Sequence, residues 1–273
     1  MPGDAGAARQ FSGAVAEVYD SLLVPLIFEH YANDLAKRVA LLRPAAVLET
    51  AAGTGAVTRQ LAQRLPARAR IVATDLNPPM LVRAAAIGTS RPVSWQPADA
   101  QQLPFDDASF DVVACQFGAM FFPDRPRAYA EARRVLRPGG TLLFSTWDRL
   151  AANEFAQAVT DALAGVYPAD PPRFMERMPH GYFDTARIAT DLQAAGFAAA
   201  PEIAMVDGVS RADSAAIVAT AFCQGTPMRP EIESRGMPGL AAATLACEQW
   251  LVERHGNGRI EGRMRAIVVG VRA

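Results

Sequence analysis

Glu49, followed after three residues by Gly53-Thr54-Gly55, is the pattern in this chain best suited to holding a small charged ligand. Glycines at 53 and 55 leave no Cβ in a ligand's way and permit positive φ. The residues beyond them place Val57, Leu61 and Leu65 on one helical face, and the first turn of such a helix offers free N–H groups. Those donors and the helix dipole favour an anion, either a pyrophosphate or an amino-acid carboxylate. Spacing separates the two. A dinucleotide fingerprint, G-x-G-x-x-G, needs a third glycine where Thr58 stands, and counted from Ala51 the first glycine is missing. Asp75 lies 22 residues beyond Gly53, where a carboxylate can accept from both hydroxyls of a ribose. Asp99 can accept from an adenine amino group, and Leu76 and Met80 offer apolar surface to the base.

A second cluster, His180-Gly181-Tyr182-Phe183-Asp184, contains the candidate catalytic pair. His180 can deprotonate a hydroxyl acceptor and Tyr182 can orient it, so His180→Ala is expected to slow strongly a group transfer to such a hydroxyl. A lone loop histidine is more often solvated or structural, and Asp184 reads as the N-cap of the helix that follows. Cys115, Cys223 and Cys247 show neither C-x-x-C nor His-pair spacing, so no disulfide framework and no metal site is expected.

These residues are placed by alternating strands and helices. Short apolar strands are expected at residues 46–48, 69–74, 93–96, 110–115 and 141–147, with helices between them. The chain up to residue 42 reads as two helices, 13–23 and 25–42, broken near Pro25. Asp124 caps a helix over 125–136, which the Pro138-Gly139-Gly140 turn ends. Beyond 149 come helices near 153–164 and 185–195, further helices within 213–258, and strands at 200–206 and 264–271, the latter as a reversed edge strand. The pattern predicts a doubly wound, Rossmann-like, mainly parallel seven-stranded sheet with an antiparallel last strand. In such a sheet the ligand crevice lies outside the carboxyl strand ends, where Glu49, Asp75, Asp99 and Gln116 fall. The expected organisation is one domain over 1–273: a helical segment at 1–44, a cofactor-binding core at 45–148, and a substrate cover with the last two strands at 149–273.

The ordered set Glu49-x-x-x-Gly53-x-Gly55, Asp75, Asp99-Ala100, LPFDDASFDVV and Leu136-Arg137-Pro138-Gly139-Gly140 resembles class I S-adenosylmethionine (SAM) methyltransferases. The likeness is to the type 11 and quinone-biosynthesis small-molecule branch and covers about residues 45–148. Ala51 stands where that family commonly has a glycine. The resemblance implies SAM as cofactor, bound by Glu49, Ala51, Gly53, Thr54, Gly55, Asp75, Leu76, Met80, Asp99, Ala100, Gln116 and Phe117. It also implies that an aromatic-plus-Tyr-Asp segment such as 11–20, with Phe11 and Tyr19, lies across the cofactor mouth. Gln116, Phe117 and Met120 would face the methyl group or its acceptor.

Composition narrows the partners. With 273 residues, 51% hydrophobic, 20% charged and a formal net charge of −1, the chain has material for a sizeable core and no general attraction to phosphate backbones or anionic membranes. A small-molecule methyl acceptor is expected, with no nucleic acid and no membrane insertion; a homodimer is compatible with the sequence. No signal-peptide pattern opens the chain, so a cytoplasmic setting is expected. The acceptor atom, O, C or N, is not legible. The alternatives are a SAM-binding scaffold or non-methylating catalyst and, ranked lower, an NAD-dependent oxidoreductase.

Overall fold

The computed structural model describes residues 13–273; Phe11 lies outside them. The chain opens with α1 (Gly13–Val18), a π-helical segment (Tyr19–Phe28) and α2 (Glu29–Leu41) in direct succession. Pro25 therefore does not break the helix, as the sequence had suggested. A proline clashes with the carbonyl four residues before it in an α-helix. Here the turn widens, and the Glu29 N–H bonds to the carbonyl of Val24, five residues back.

Five strands then alternate with helices: β1 (Ala46–Glu49), α3 (Ala56–Arg64), β2 (Arg70–Asp75), α4 (Pro78–Ile87), β3 (Ser94–Pro97), β4 (Phe110–Gln116), α5 (Arg125–Val135) and β5 (Leu136–Trp147). The remainder adds α6 (Glu154–Val166), α7 (Phe174–Arg177), α8 (Thr185–Ala194), β6 (Glu202–Ala212), α9 (Ala215–Gln224), α10 (Met228–Glu233), α11 (Leu240–His255) and β7 (Ile260–Arg272). The sheet order is β3-β2-β1-β4-β5-β7-β6. Strands β1 to β5 pair in parallel, whereas β7 is antiparallel to both β5 and β6. Two expectations are corrected here. The reversed last strand is not at the edge, because it inserts between β5 and β6 and leaves β6 outermost. The fifth strand begins at Leu136 rather than 141: Phe110 pairs with Leu136 and Val112 with Thr141, so Arg137 to Gly140 bulge from the ladder instead of forming a separate turn.

Alternation along each strand divides the core between two faces. Val47, Ile71, Val112, Ala114, Leu143 and Val268 pack with Leu35, Val39, Val57 and Leu61 of α2 and α3. Their neighbours Leu48, Val72, Val113, Phe144 and Ile267 pack on the other face with α5, α6, α8, α9 and α11. Burial on both faces explains why these strands read as continuous apolar runs. Among the described residues no helix is long and apolar enough to cross a membrane.

Asp111, at the start of β4, locks the amino ends of three strands. Its carboxylate accepts from the Ala45 and Ala46 amides at 2.7 and 2.8 Å and from Arg137 at 2.6 Å. Burial pushes the carboxyl's pKa up, but the hydrogen bonds from Ala46, Arg137 and Ala45 outweigh it and hold the pKa below the usual value. Asp111→Ala is expected to cost about 2 kcal/mol in urea unfolding at pH 7. Because the folded-state pKa is the lower one, this stabilisation is present above the unfolded value of about 3.9 and fades as pH falls through the folded value. The two proteins should therefore converge in stability in acid.

Candidate active site

The loop leaving β1 is tied to both neighbouring strands. The Thr50 amide donates to the Ala114 carbonyl of β4 at 2.9 Å, and the Ala52 amide to the Thr74 carbonyl of β2 at 2.9 Å. Alternate residues then take left-handed backbone: Ala51 at φ +52°, Gly53 at +56° and Gly55 at +84°. Gly55 also could not carry a side chain, since a Cβ there would stand 2.9 Å from the Trp95 ring. Ala51 holds the strained conformation without being glycine, and its Cβ has a counterpart across the sheet. A Cβ added to Gly118, beyond β4, would lie 2.4 Å from that of Ala51. The methyl absent at 118 makes room for the one present at 51.

Asp75 ends β2 under this loop. One of its carboxylate oxygens accepts from the Gly53 amide at 2.8 Å, the other from the Asn77 amide at 2.8 Å and side chain at 3.2 Å. Burial pushes its pKa up, offset in part by the Asn77 and Gly53 hydrogen bonds. Asn77 thus engages Oδ1 twice, whereas Oδ2, which accepts from Gly53, is the oxygen best placed to accept from a ligand hydroxyl. Asn77 occupies the N-cap position of α4 with two prolines after it, but its side chain serves Asp75 instead of the helix.

A cleft with an empty volume of about 990 Å³ lies over these strand ends, at the switch between β1 and β4 where the strand order reverses. Ala51, Gly53, Asp75, Leu76 and Met80 line it from the first two strands; Asp99, Ala100, Gln116 and Phe117 line it from the next two, and Tyr19 closes it. Asp99 is braced by the Gln101 amide at 2.8 Å. Gly55 does not border the cleft and acts as the N-cap of α3.

Behind the loop, a recess of about 280 Å³ is bordered by Glu49, Thr54, Gln116 and Tyr19. Gln116 Oε1 and Thr54 Oγ1 are buried there without a hydrogen-bond partner among the described residues. Glu49 accepts from Thr58 Oγ1 at 2.6 Å, and burial pushes its pKa up to about 8. Three oxygens converge on one recess, an arrangement suited to an ammonium group.

A second cavity of about 730 Å³ adjoins the cleft and is walled by aromatic side chains, including Phe28, Trp147, Phe155 and Phe174. Tyr19, Phe117 and Phe121 border both spaces. Phe117 sits at φ +52° and stacks on Trp147 with ring centroids 3.9 Å apart and planes 5° apart. Tyr19 stacks on Phe28 at 5.1 Å. His180 borders this cavity, buried at 5% exposure, with Nδ1 2.8 Å from the Asp148 carbonyl. A carbonyl only accepts, so Nδ1 carries the hydrogen and Nε2 the lone pair. Burial draws the imidazole pKa down to about 4. Tyr182 borders neither space. It donates to Asp191 at 2.8 Å, accepts from Tyr129 at 3.3 Å and lies beneath Arg125. Met120 is buried and likewise borders neither.

The pattern in the sequence did not single out Gln101, Gly118 or Phe121, nor the walls Trp147, Phe155 and Phe174. Phe121 follows β4 closely and Trp147 ends β5, so the strand-end rule that selected Gln116 reaches both. The walls from α6, α7 and α9 carry no comparable local signal.

Residues 48–144 match the family model described as a methyltransferase domain. Over 125 residues the chain is 36% identical to a ubiquinone/menaquinone biosynthesis C-methyltransferase of Idiomarina loihiensis, covering 44% of this chain and 47% of that protein. Over 102 residues it is 41% identical to a demethylmenaquinone methyltransferase of Deinococcus radiodurans, covering 37% and 42%. The match thus spans less than half the length of either relative. Among solved structures, the YcgJ protein of Bacillus subtilis aligns with a TM-score of 0.56 at 18% identity over 89% of this chain and 98% of that one. A Haemonchus contortus phosphoethanolamine N-methyltransferase, solved with phosphomonomethylethanolamine and S-adenosylhomocysteine, aligns at 0.60 with 14% identity over 96% and 58%. Both are likenesses of fold.

Two outcomes follow from the loop geometry. Gly118→Ala should cost about 1–3 kcal/mol by overpacking, and Ala51→Gly in the same chain should restore part of that loss, a non-additivity readable in urea unfolding. Glu49→Gln should stabilise the ligand-free protein in alkaline solution. An acid whose folded-state pKa is raised loses stability between its unfolded and folded pKa values, so the gain should grow by about 1.4 kcal/mol per pH unit between pH 5 and 8.

Proposed function

We propose that this chain, whose residues 48–144 match a methyltransferase-domain model, is a class I enzyme that transfers a methyl group from SAM to a small molecule held in the aromatic cavity. The observation that carries this reading is the junction of two spaces with opposite chemistry. One is a polar cleft at the strand ends with a buried carboxylate, backed by the recess that holds the unpaired oxygens, and the other is an apolar cavity behind Tyr19, Phe117 and Phe121.

The residues present fit the cofactor. Asp75 would accept from the ribose hydroxyls, Leu76 and Met80 would cover the adenine, and Asp99 would accept from its amino group. Glu49, Thr54 and Gln116 would receive the ammonium of the methionine moiety, whose charge would return Glu49 to its ionised form. SAM, when bound, supplies a methyl group already activated by the sulfonium. The protein's part is then alignment and exclusion of water, and positioning of this kind is worth on the order of 7 to 11 kcal/mol. The aromatic walls dry the acceptor side and offer a flat molecule the mutually packed rings of Phe28, Phe117 and Trp147 as one surface. The relatives named for ubiquinone/menaquinone biosynthesis and demethylmenaquinone methylation, together with these walls, favour a ring-containing acceptor. His180 is the member of the predicted catalytic pair positioned to meet it; Tyr182, held by Asp191 and Tyr129, is assigned to shaping the wall's support.

The test is thermal unfolding with SAM, with S-adenosylhomocysteine and with NAD. At 100 times its Kd a ligand stabilises the native state by about 2.7 kcal/mol, so the adenosyl compounds should raise the midpoint and NAD should not. Asp75→Asn should weaken S-adenosylhomocysteine by about 1.5–3 kcal/mol, roughly 10- to 150-fold. A shift with NAD alone would replace methyl transfer with hydride transfer.

A further inference from the structure

We propose that the aromatic cavity selects an uncharged, ring-bearing molecule that donates one hydroxyl hydrogen to Nε2 of His180. The inference rests on reading this cavity as the acceptor site, and deepens that reading by naming the chemical class and the residue that discriminates it.

The other polar side chains around the cavity are already engaged. Asn153 donates to the Asp148 and Arg149 carbonyls at 3.3 and 3.2 Å and accepts from the Arg265 amide at 3.1 Å. Ser210 donates to the Leu26 carbonyl at 2.8 Å. Thr226 donates to the Phe222 carbonyl at 2.7 Å and accepts from the Met228 amide at 3.1 Å. Arg263, at the rim, is held by Glu154 at 2.6 Å. The Tyr19 hydroxyl lies over the glycine loop, 3.8 Å from the position of a Cβ on Gly53 and so on the cleft side of the shared wall.

His180 differs from these. Its ring stands 6.0 Å from Trp147 between centroids, and the Asp148 carbonyl fixes the tautomer so that the second nitrogen is an acceptor. Nε2 has no hydrogen-bond partner among the described residues. A carboxylate entering this cavity would meet that lone pair and no available cation, and an ammonium would meet ring faces but no carboxylate to neutralise it, so neither charge is paired by an opposite one. A hydroxyl on a flat ring satisfies both demands: the ring lies against the aromatic walls and the hydrogen goes to Nε2. Low basicity suits this role, because a weakly basic imidazole holds a hydrogen bond without taking the proton. His180 is thus a specificity and positioning residue, and the ring's orientation toward the cleft follows from where its hydroxyl is anchored.

The experiment uses the full chain and four probes of one size: 1-naphthol, 1-methylnaphthalene, 1-naphthoate and 1-naphthylmethylammonium, titrated at pH 7 by ligand-observed NMR. Naphthol should bind at least about fivefold more tightly than methylnaphthalene, the strength of one neutral hydrogen bond, and the two ions at least about tenfold more weakly than naphthol. In His180→Phe the naphthol advantage should vanish while methylnaphthalene binding stays within twofold, and His180→Gln, which keeps an acceptor oxygen, should restore part of it. A merely structural histidine would move both neutral probes together. Equal binding of naphthol and methylnaphthalene by the native protein, or an advantage that survives His180→Phe, overturns the proposal. So does tight binding of either ion. S-adenosylhomocysteine is tested on the same samples: a naphthol preference without any response to it sustains the hydroxyl selectivity and rejects the methyl-transfer reading, and the reverse result rejects the selectivity alone.

Discussion

The hydrogen bond from the Gly53 amide to the Asp75 carboxylate, 2.8 Å long and bridging 22 residues, is the contact around which the cleft is built. It fixes the loop after β1 against the end of β2, so the residue that would receive a ribose also holds the glycine turn open. The amides of Thr50 and Ala52 repeat the tie toward β4 and β2. Each of these bonds needs three parallel strands in register, which the Asp111 carboxylate secures from the opposite end of the sheet. The loop's left-handed backbone at Ala51 costs on the order of 1–2 kcal/mol for a non-glycine residue. That cost is borne where the surrounding hydrogen bonds leave the loop no alternative.

A second constraint is the aromatic wall. Phe117 is held at positive φ by its position after β4, where its amide donates to the Ser145 carbonyl at 3.0 Å, and its ring lies flat on Trp147 from β5. Tyr19 and Phe28 begin and end the π-helical segment, and both reach the same cluster. A continuous α-helix would carry these residues round at a different angle. Widening the helix thus accommodates Pro25 and aims two aromatic side chains at the junction of the spaces. Asp20, between Arg59 and Arg83, anchors the segment to α3 and α4 at 3.8 and 3.2 Å. These pairs are partly exposed, so their weight is modest, but they join the N-terminal segment to the cofactor side of the fold.

The strand-end half of the site was legible because it is local. Glu49, Asp75, Asp99 and Gln116 each end or follow a short apolar run, and the doubly wound architecture sends all four to one edge of the sheet. The two helix caps at Asp124 and Asp184 were legible for the same reason, and both side chains accept from first-turn amides. What was not legible depends on pairing across the chain. Gly118 is meaningful only beside the methyl of Ala51, and Trp147 only beneath Phe117. The place of β7 between β5 and β6 rests on long-range pairing that no local pattern encodes. His180 was legible as a residue type, but its tautomer is decided by a carbonyl 32 residues away. Tyr182 stood beside it in sequence, yet its hydroxyl is engaged by Asp191 and Tyr129 on the other side of the wall.

The most direct measurement of the central claim is amide hydrogen exchange with and without saturating S-adenosylhomocysteine. The account predicts slowed exchange in four separate stretches that meet only in the folded sheet: residues 50–55, 75–77, 99–101 and 116–118, with residues 19–28 protected as the wall closes. Unchanged exchange at these strand ends, or protection confined to residues 149–273, would contradict it.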